Sequence, residues 1–209
     1  ILTIDQTTQF VHQVANKLRI NTPSINIVPS DDDADVETAE VFKGIIRNIE
    51  YRSKADSAYD LAGTFSVKCS IGYVRVDHSY TDLSETEQEL VINRVVNPLS
   101  VFPDCRTEKI DGSDMKHCTI LECISKEEFE ELYPGKEPVS FEADEVNENE
   151  DEVKLAEFFE SEVIKEVITD SITGEPVESK RVVINRYRLS GVDKLEETVF
   201  PGVYVPIIP

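Results

Sequence analysis

The segment KCSIGYVRVDH, residues 68–78, contains the change of periodicity that decides the fold of this chain. Before it, from Val36 to about Lys68, apolar residues recur at three- and four-residue steps without a proline. That spacing predicts one long helix, with room for a single break. After it, apolar and polar residues alternate from Gly72 to His78, which is typical of a half-buried strand. The chain therefore changes from helices to strands close to residue 68.

Paired alternating segments follow this change. Glu89–Val96 lies beyond a polar turn and completes a hairpin with the first strand. Val153–Ile172 fits both periods, because its apolar residues permit a helix whereas its β-branched residues favour a strand. Since a clear strand, Arg181–Arg188, follows the turn at Gly174, we predict a second hairpin and therefore a strand in Val153–Ile172.

Shorter elements complete the predicted architecture. Further extended pieces are expected at Cys118–Cys123, Lys194–Phe200 and Val203–Ile208, and Ser125 to Glu128 forms a capping box that opens a short helix. We predict an α+β fold, with N-terminal helices that include one long helix, followed by a largely antiparallel β-sheet with a short helix. The helical part is residues 1–68 and the β-rich part is residues 69–209.

The N-terminal region adds two local expectations. Ile1–Ile20 has helical spacing, and Ser24–Ser30 is expected to be extended with Ile25, Ile27 and Val28 pointing inward. The acidic run that ends at Asp35 could bind a cation, but carboxylates also cap the N-terminus of a helix. We favour the helix N-terminus.

The charge balance limits the partners of the chain. It has 42 acidic and 21 basic residues, a formal net charge of -21 and a pI near 4.4. Tight binding to nucleic acid depends on Lys and Arg neutralising phosphates, so we expect no tight grip on DNA. No apolar run approaches the roughly 20 residues that span a membrane. We find no signal peptide pattern, and we expect the chain to be a piece of a longer polypeptide.

The motifs of common enzyme classes are missing. We find no phosphate-binding glycine loop, no dinucleotide fingerprint and no zinc-protease or serine-hydrolase motif. His12, His78 and His117 are far apart in sequence, and Cys69 and Cys118 lie in apolar runs that predict buried positions. We therefore predict no catalytic residue, no cofactor-binding residue, no metal ligand and no enzymatic activity.

One polar segment remains as a candidate motif. A trio of aspartates could hold a cation as in a carboxylate nuclease, but Asp and Gly are also ordinary turn formers. We favour a structural corner that needs no ion, in which Pro98 and Pro103 prevent further strand pairing. The residues of this structural motif are Asn97, Pro98, Asp104, Asp111, Gly112 and Asp114.

Ten short segments, spread over nearly the whole chain, form an ordered set: Val14–Pro29, Thr38–Glu40, Ile45–Glu50, Ala58–Asp60, Cys69–Val76, Arg94–Asp104, Asp111–Asp114, Glu127–Pro134, Ala156–Phe158 and Pro201–Pro209. In this order the segments resemble the portal, or head-to-tail connector, proteins of short-tailed bacteriophages. One departure is Ser70, where the family usually has a second glycine.

The resemblance implies a structural role rather than catalysis. Portal proteins form a homo-oligomeric ring, typically a dodecamer, at one capsid vertex, where DNA passes in and out without tight binding. The implied partners are the capsid and scaffolding proteins, the terminase, and tail or head-completion proteins. By this resemblance the chain corresponds to one wing-like domain of a longer subunit. The subunit is expected in the virion, after assembly in the host cytoplasm. A different phage connector module and a carboxylate nuclease remain the alternatives.

Overall fold

The computed structural model describes residues 6–21, 25–29, 35–80, 87–139, 151–169 and 176–209. Several sequence predictions fall outside these ranges. They concern the aspartates before Asp35, the polar turn of the first hairpin, most of the acidic segment 142–152 and the turn at Gly174. The described residues confirm the α+β prediction, because three α-helices are followed by antiparallel strands, with a fourth α-helix between two of the strands.

The chain divides into two compact units. The first runs to Pro98 and includes Pro206–Pro209, and the second is Leu99–Val205. This division differs from the predicted boundary between the helical and β-rich parts near residue 68, because the first hairpin belongs to the same compact unit as the helices. The assignment of both units to one wing-like domain stays a prediction.

Three helices begin the first unit. They are α1 (Thr8–Ile20), α2 (Val36–Ser53) and α3 (Ala55–Cys69). Asp35 caps α2, because its carboxylate accepts the backbone N–H of Glu37 at 3.0 Å and the hydroxyl of Thr38 at 2.9 Å. This confirms the interpretation of Asp35 as a helix N-terminus.

The predicted long helix is broken once, at Lys54. Its backbone is left-handed, with φ 52° and ψ 45°, and its N–H donates to the carbonyl of Tyr51. Neither helical glycine, Gly44 or Gly63, lies at the break. The left-handed lysine ends α2 and precedes α3, so the predicted long helix is two shorter helices.

The helices are joined to a three-stranded sheet with the order β2-β1-β8. Strands β1 (Val74–Tyr80) and β2 (Gln88–Arg94) form the predicted first hairpin, with Val74 opposite Arg94. Strand β8 (Ile207–Ile208) comes from the far end of the chain and pairs with Val74 and Arg75. Of the predicted extended piece Val203–Ile208, only these two residues form a strand.

A five-stranded antiparallel sheet dominates the second unit, with the order β3-β4-β5-β6-β7. Its strands and one helix are β3 (Val101–Pro103), β4 (His117–Ser125), α4 (Lys126–Leu132), β5 (Glu152–Thr169), β6 (Pro176–Ser190) and β7 (Asp193–Phe200). Strand β5 confirms the choice of a strand over a helix from Val153 to Thr169, and the last three residues of the predicted strand lie outside the described ranges. The hydroxyl of Ser125 accepts the N–H of Glu128 at 3.2 Å, as the capping box predicts.

The cores of the two units differ in composition. Four alanines, Tyr73 and Ile207 are the buried hydrophobic residues of the first unit, among the residues described. In the second unit Phe159 meets Phe200 edge to face at 5.9 Å, and Phe129 of α4 packs on Val153 and Leu155. Large side chains therefore build the second core, whereas the first unit leaves many of its large apolar side chains exposed.

Three local predictions are wrong. Pro98 and Pro103 do not prevent strand pairing between them, because Val101–Pro103 pairs with β4 at the sheet edge, where a residue without an N–H is tolerated. Ile25 and Val28 do not point inward, being 47% and 73% exposed. Cys69 is exposed at the last position of α3, whereas Cys118 is buried as predicted.

Candidate functional surfaces

The predicted motif folds into a loop between β3 and β4, residues 104–115, which we call the aspartate loop. Asp104 follows the edge strand, and its N–H donates to the carbonyl of His117 at 3.0 Å. Its carboxylate is almost fully buried and accepts the N–H of Arg106 at 2.9 Å. The imidazole Nδ1 of His117 lies 3.7 Å from the same carboxylate. Asp104 therefore fixes the start of the loop to β4.

The other two aspartates organise the centre of the loop. Asp111 accepts the N–H of Ser113 at 3.1 Å, and Asp114 accepts the N–H of Glu108 at 2.8 Å. Between them Gly112 has φ 67°, a left-handed conformation that costs glycine little because it lacks a Cβ. Each carboxylate thus satisfies backbone donors that the turns would otherwise leave unpaired.

These contacts lower the pKa of all three carboxyls below the usual value of 3.8. The main cause for Asp104 is the N–H of Arg106, which outweighs the opposing effect of burial, and His117 contributes further. The N–H and hydroxyl of Ser113 do the same for Asp111, and the N–H of Glu108 does so for Asp114. Hydrogen bonds to the charged form stabilise it, so the ionised aspartates stabilise the loop.

The structure gathers only part of the predicted motif. The aspartate loop holds Asp104, Asp111, Gly112 and Asp114, whereas Asn97 and Pro98 belong to the first compact unit. Pro98 is buried and opens a short turn of 3₁₀ helix, Pro98–Ser100. Across the described ranges, no group of three or more His, Cys, Asp or Glu side chains could hold a metal ion. The structural role of the motif stays a prediction.

A buried ion pair in the second sheet escaped the sequence analysis. Glu157 lies on the central strand β5 and is only 2% exposed. Its Oε1 is 2.5 Å from Nε of Arg186 on β6, and the half-buried Arg188 lies directly opposite it in the strand register. A signal was present in the sequence, because Leu155, Glu157 and Phe159 alternate onto one face and both apolar neighbours are core residues.

Large apolar side chains on the first two helices face solvent. Along α1, Phe10, Val14 and Leu18 are spaced by four residues and are 61%, 45% and 49% exposed. On α2, Val41 and Ile45 show the same spacing and are 61% and 48% exposed. Rows of exposed apolar residues are candidates for a surface that contacts another protein.

No helix among the described residues is long and apolar enough to cross a membrane. Comparison with known families identifies the family to which the chain belongs. The family model described as phage P22-like portal protein matches residues 1–209, the whole of the sequence. This agrees with the resemblance carried by the ordered segments. The chain belongs to the phage P22-like portal protein family, a structural family that forms an oligomeric ring at the capsid vertex.

Proposed function

We propose that this chain is part of a portal subunit whose ring forms the channel for DNA packaging and ejection at one capsid vertex. The observation that carries the proposal is the family match over residues 1–209. In this proposal the chain forms a wing-like part of a longer subunit, and the ring is a dodecamer. The complete ring docks the terminase and the tail factors and contacts the capsid and scaffolding proteins. It assembles in the host cytoplasm and remains in the virion.

The surface chemistry supports this assignment in two ways. A net charge of -21 repels phosphates, which suits a conduit that DNA must traverse without adhering. The exposed apolar residues of α1 and α2 supply contact area for neighbouring proteins. In this proposal the chain hydrolyses nothing, and the packaging motor supplies the energy.

Electron microscopy of the full-length gene product tests the proposal. We expect closed rings with a central channel at micromolar concentration. A preparation that stays monomeric under packaging-like salt conditions, or that forms open filaments, would contradict it. A different connector module would also form a ring, so the decisive comparison is whether empty capsids that contain this protein recruit terminase. Capsids assembled without it are the control.

Two biochemical measurements address the nuclease alternative and the proposed behaviour towards DNA. Purified protein incubated with Mg²⁺ or Mn²⁺ should leave supercoiled DNA intact, and cleavage that Asp104→Asn abolishes would favour the nuclease. A fluorescence titration with duplex DNA at about 50 mM salt, where electrostatic binding is strong, should detect no micromolar affinity. Micromolar binding with a steep salt dependence would contradict the charge argument.

A further inference from the structure

The hairpin of β5 and β6 is longer than the sheet that supports it. Strand β4 pairs with β5 only as far as Glu160, and β7 pairs with β6 only as far as Ile184. Beyond these residues β5 and β6 pair with each other alone, from Glu162 opposite Val183 to Thr169 opposite Pro176. We call residues 162–169 and 176–183 the β-arm. Eight residues of β5 at about 3.3 Å each give it a length of about 26 Å.

Most of the described side chains of the β-arm are exposed, whereas Ser179, Val182 and Val183 are half-buried. Val163 is 58% exposed and Ile164 is 37% exposed, and these neighbours lie on opposite faces of the strand. A two-stranded ribbon is marginally stable in water by itself, because neither face is buried against a core. Charged residues on the strands could serve only to protect free edges from aggregation. That explanation leaves the particular arrangement of the charges unaccounted for.

Two lysines face each other across the β-arm. Lys165 on β5 is directly opposite Lys180 on β6, and two residues away on the same face Val163 is opposite Val182. Like charges at directly opposed positions destabilise a strand pair. Among the described residues, neither lysine forms an ion pair with a carboxylate. One face of the β-arm therefore joins a repelling cationic pair to an apolar pair, although the chain as a whole has a net charge of -21.

We propose that the face of the β-arm formed by Val163, Lys165, Lys180 and Val182 docks on the acidic surface of a neighbouring copy of this chain. The proposal rests on the proposed function, because a ring places identical copies side by side. Each copy carries a net charge of -21, so the surface of a neighbour offers the negative potential that attracts a pair of lysines. A contact in which an arm meets a different surface of the next copy is heterologous, and such contacts form a ring where the rotation between copies closes.

The fixed spacing in a ring makes such a contact effective even where each charge contributes little. A tethered or pre-positioned group binds at a high effective concentration, so a contact that is weak between free molecules persists within the assembly. The apolar pair adds buried area beside the charges, and the ribbon gains the support that its own sheet does not provide. The contact therefore stabilises both the ring and the β-arm.

Charge-reversal variants of the full-length protein test the proposal. The double variant Lys165→Glu/Lys180→Glu keeps a like-charge pair across the strands, so at concentrations too low for assembly its melting temperature should match that of the unaltered protein. Its ring should assemble only at about tenfold higher concentration, because two favourable contacts become repulsive. The single variant Lys165→Glu creates an opposite-charge pair within the β-arm. It should melt at the same temperature or higher and still assemble less readily.

Sedimentation velocity over a concentration series measures assembly, and far-UV circular dichroism verifies folding of each variant. The matched control is Lys165→Arg/Lys180→Arg, which keeps both charges and should assemble like the unaltered protein. Added salt should weaken assembly of the unaltered protein more than that of Lys165→Gln/Lys180→Gln. Unchanged assembly in both charge-reversed variants would overturn the docking proposal. Failure of the unaltered protein to form rings would instead contradict the proposed function.

Discussion

The buried ion pair of Glu157 offers the sharpest test of the second unit. Glu157 is 2% exposed, and its Oε1 lies 2.5 Å from Nε of Arg186. The substitution Glu157→Gln keeps the size of the side chain but leaves the guanidinium without its buried counter-charge. Removing one partner of a buried pair typically costs about 3–5 kcal/mol. Because the Arg186 side chain is 23% exposed and regains some hydration, we expect the lower end, about 3 kcal/mol.

Urea unfolding followed by far-UV circular dichroism measures this loss, since the chain has no tryptophan to report by fluorescence. With a denaturant slope of about 2 kcal/mol per molar, the midpoint of the second unit should fall by about 1.5 M. Glu160→Gln, at an exposed position of the same strand, is the control and should change stability by less than about 0.5 kcal/mol.

A double-mutant cycle separates the ion pair from other effects of the substitution. Arg186→Met removes the other partner, and the double variant should be less destabilised than the sum of the two single variants by at least about 1 kcal/mol. Additive losses would show that the two side chains do not stabilise each other. A loss below about 1 kcal/mol for Glu157→Gln would refute the reasoning directly.

Four further predictions concern three glycine or serine positions and the aspartate loop. Gly72→Ala should lower the free energy of unfolding by at least about 2 kcal/mol, since the new Cβ would lie 2.1 Å from the carbonyl oxygen of Ala62. Gly44→Ala is the matched control, because a Cβ there has no atom within 4 Å and should stabilise α2 by about 0.5–1 kcal/mol. Thermal melts of the two variants compare these effects. Ser70→Gly should raise the melting temperature, because Ser70 has φ 63° and glycine is the residue that tolerates this conformation best; a decrease would contradict that account. Because the carboxyl pKa values of the aspartate loop are lowered in the folded state, the loop contributes stability above the usual pKa of 3.8 and loses it as pH falls through the lower folded values. Amide exchange of the loop, measured over an acid titration, should show this loss. Asp111→Asn should make the stability of the loop depend less on pH. Millimolar Ca²⁺ or Mg²⁺ should leave the melting temperature unchanged, and a rise abolished by Asp114→Asn would indicate a metal site instead.

The sequence predicted the order and type of the main elements. The α+β class, the helix that ends near Lys68 and both hairpins follow from local periodicity, because helices and strands expose one face at characteristic spacings. The capping roles of Asp35 and Ser125 are equally local, since each side chain bonds to a backbone N–H within three residues. The family could also be recognised from the sequence, because the resemblance depends on the order of short segments rather than on contacts in the folded chain.

Several features depended on tertiary structure. The break at Lys54 carries neither glycine nor proline, and a left-handed lysine there is tolerated only because packing of α2 and α3 determines it. Pro103 joins a strand because β3 lies at a sheet edge, which its sequence neighbours do not reveal.

Long-range pairing decided the remainder. Strand β8 pairs with β1, and the paired residues are more than a hundred positions apart in the chain. No local pattern could therefore place β8 in the first unit. The inward position of Glu157 was readable from alternation, but its arginine partners became known only once the β5–β6 register was fixed. The same register brings Lys165 opposite Lys180. Periodicity shows which face a residue occupies, whereas the register alone determines which side chain it meets.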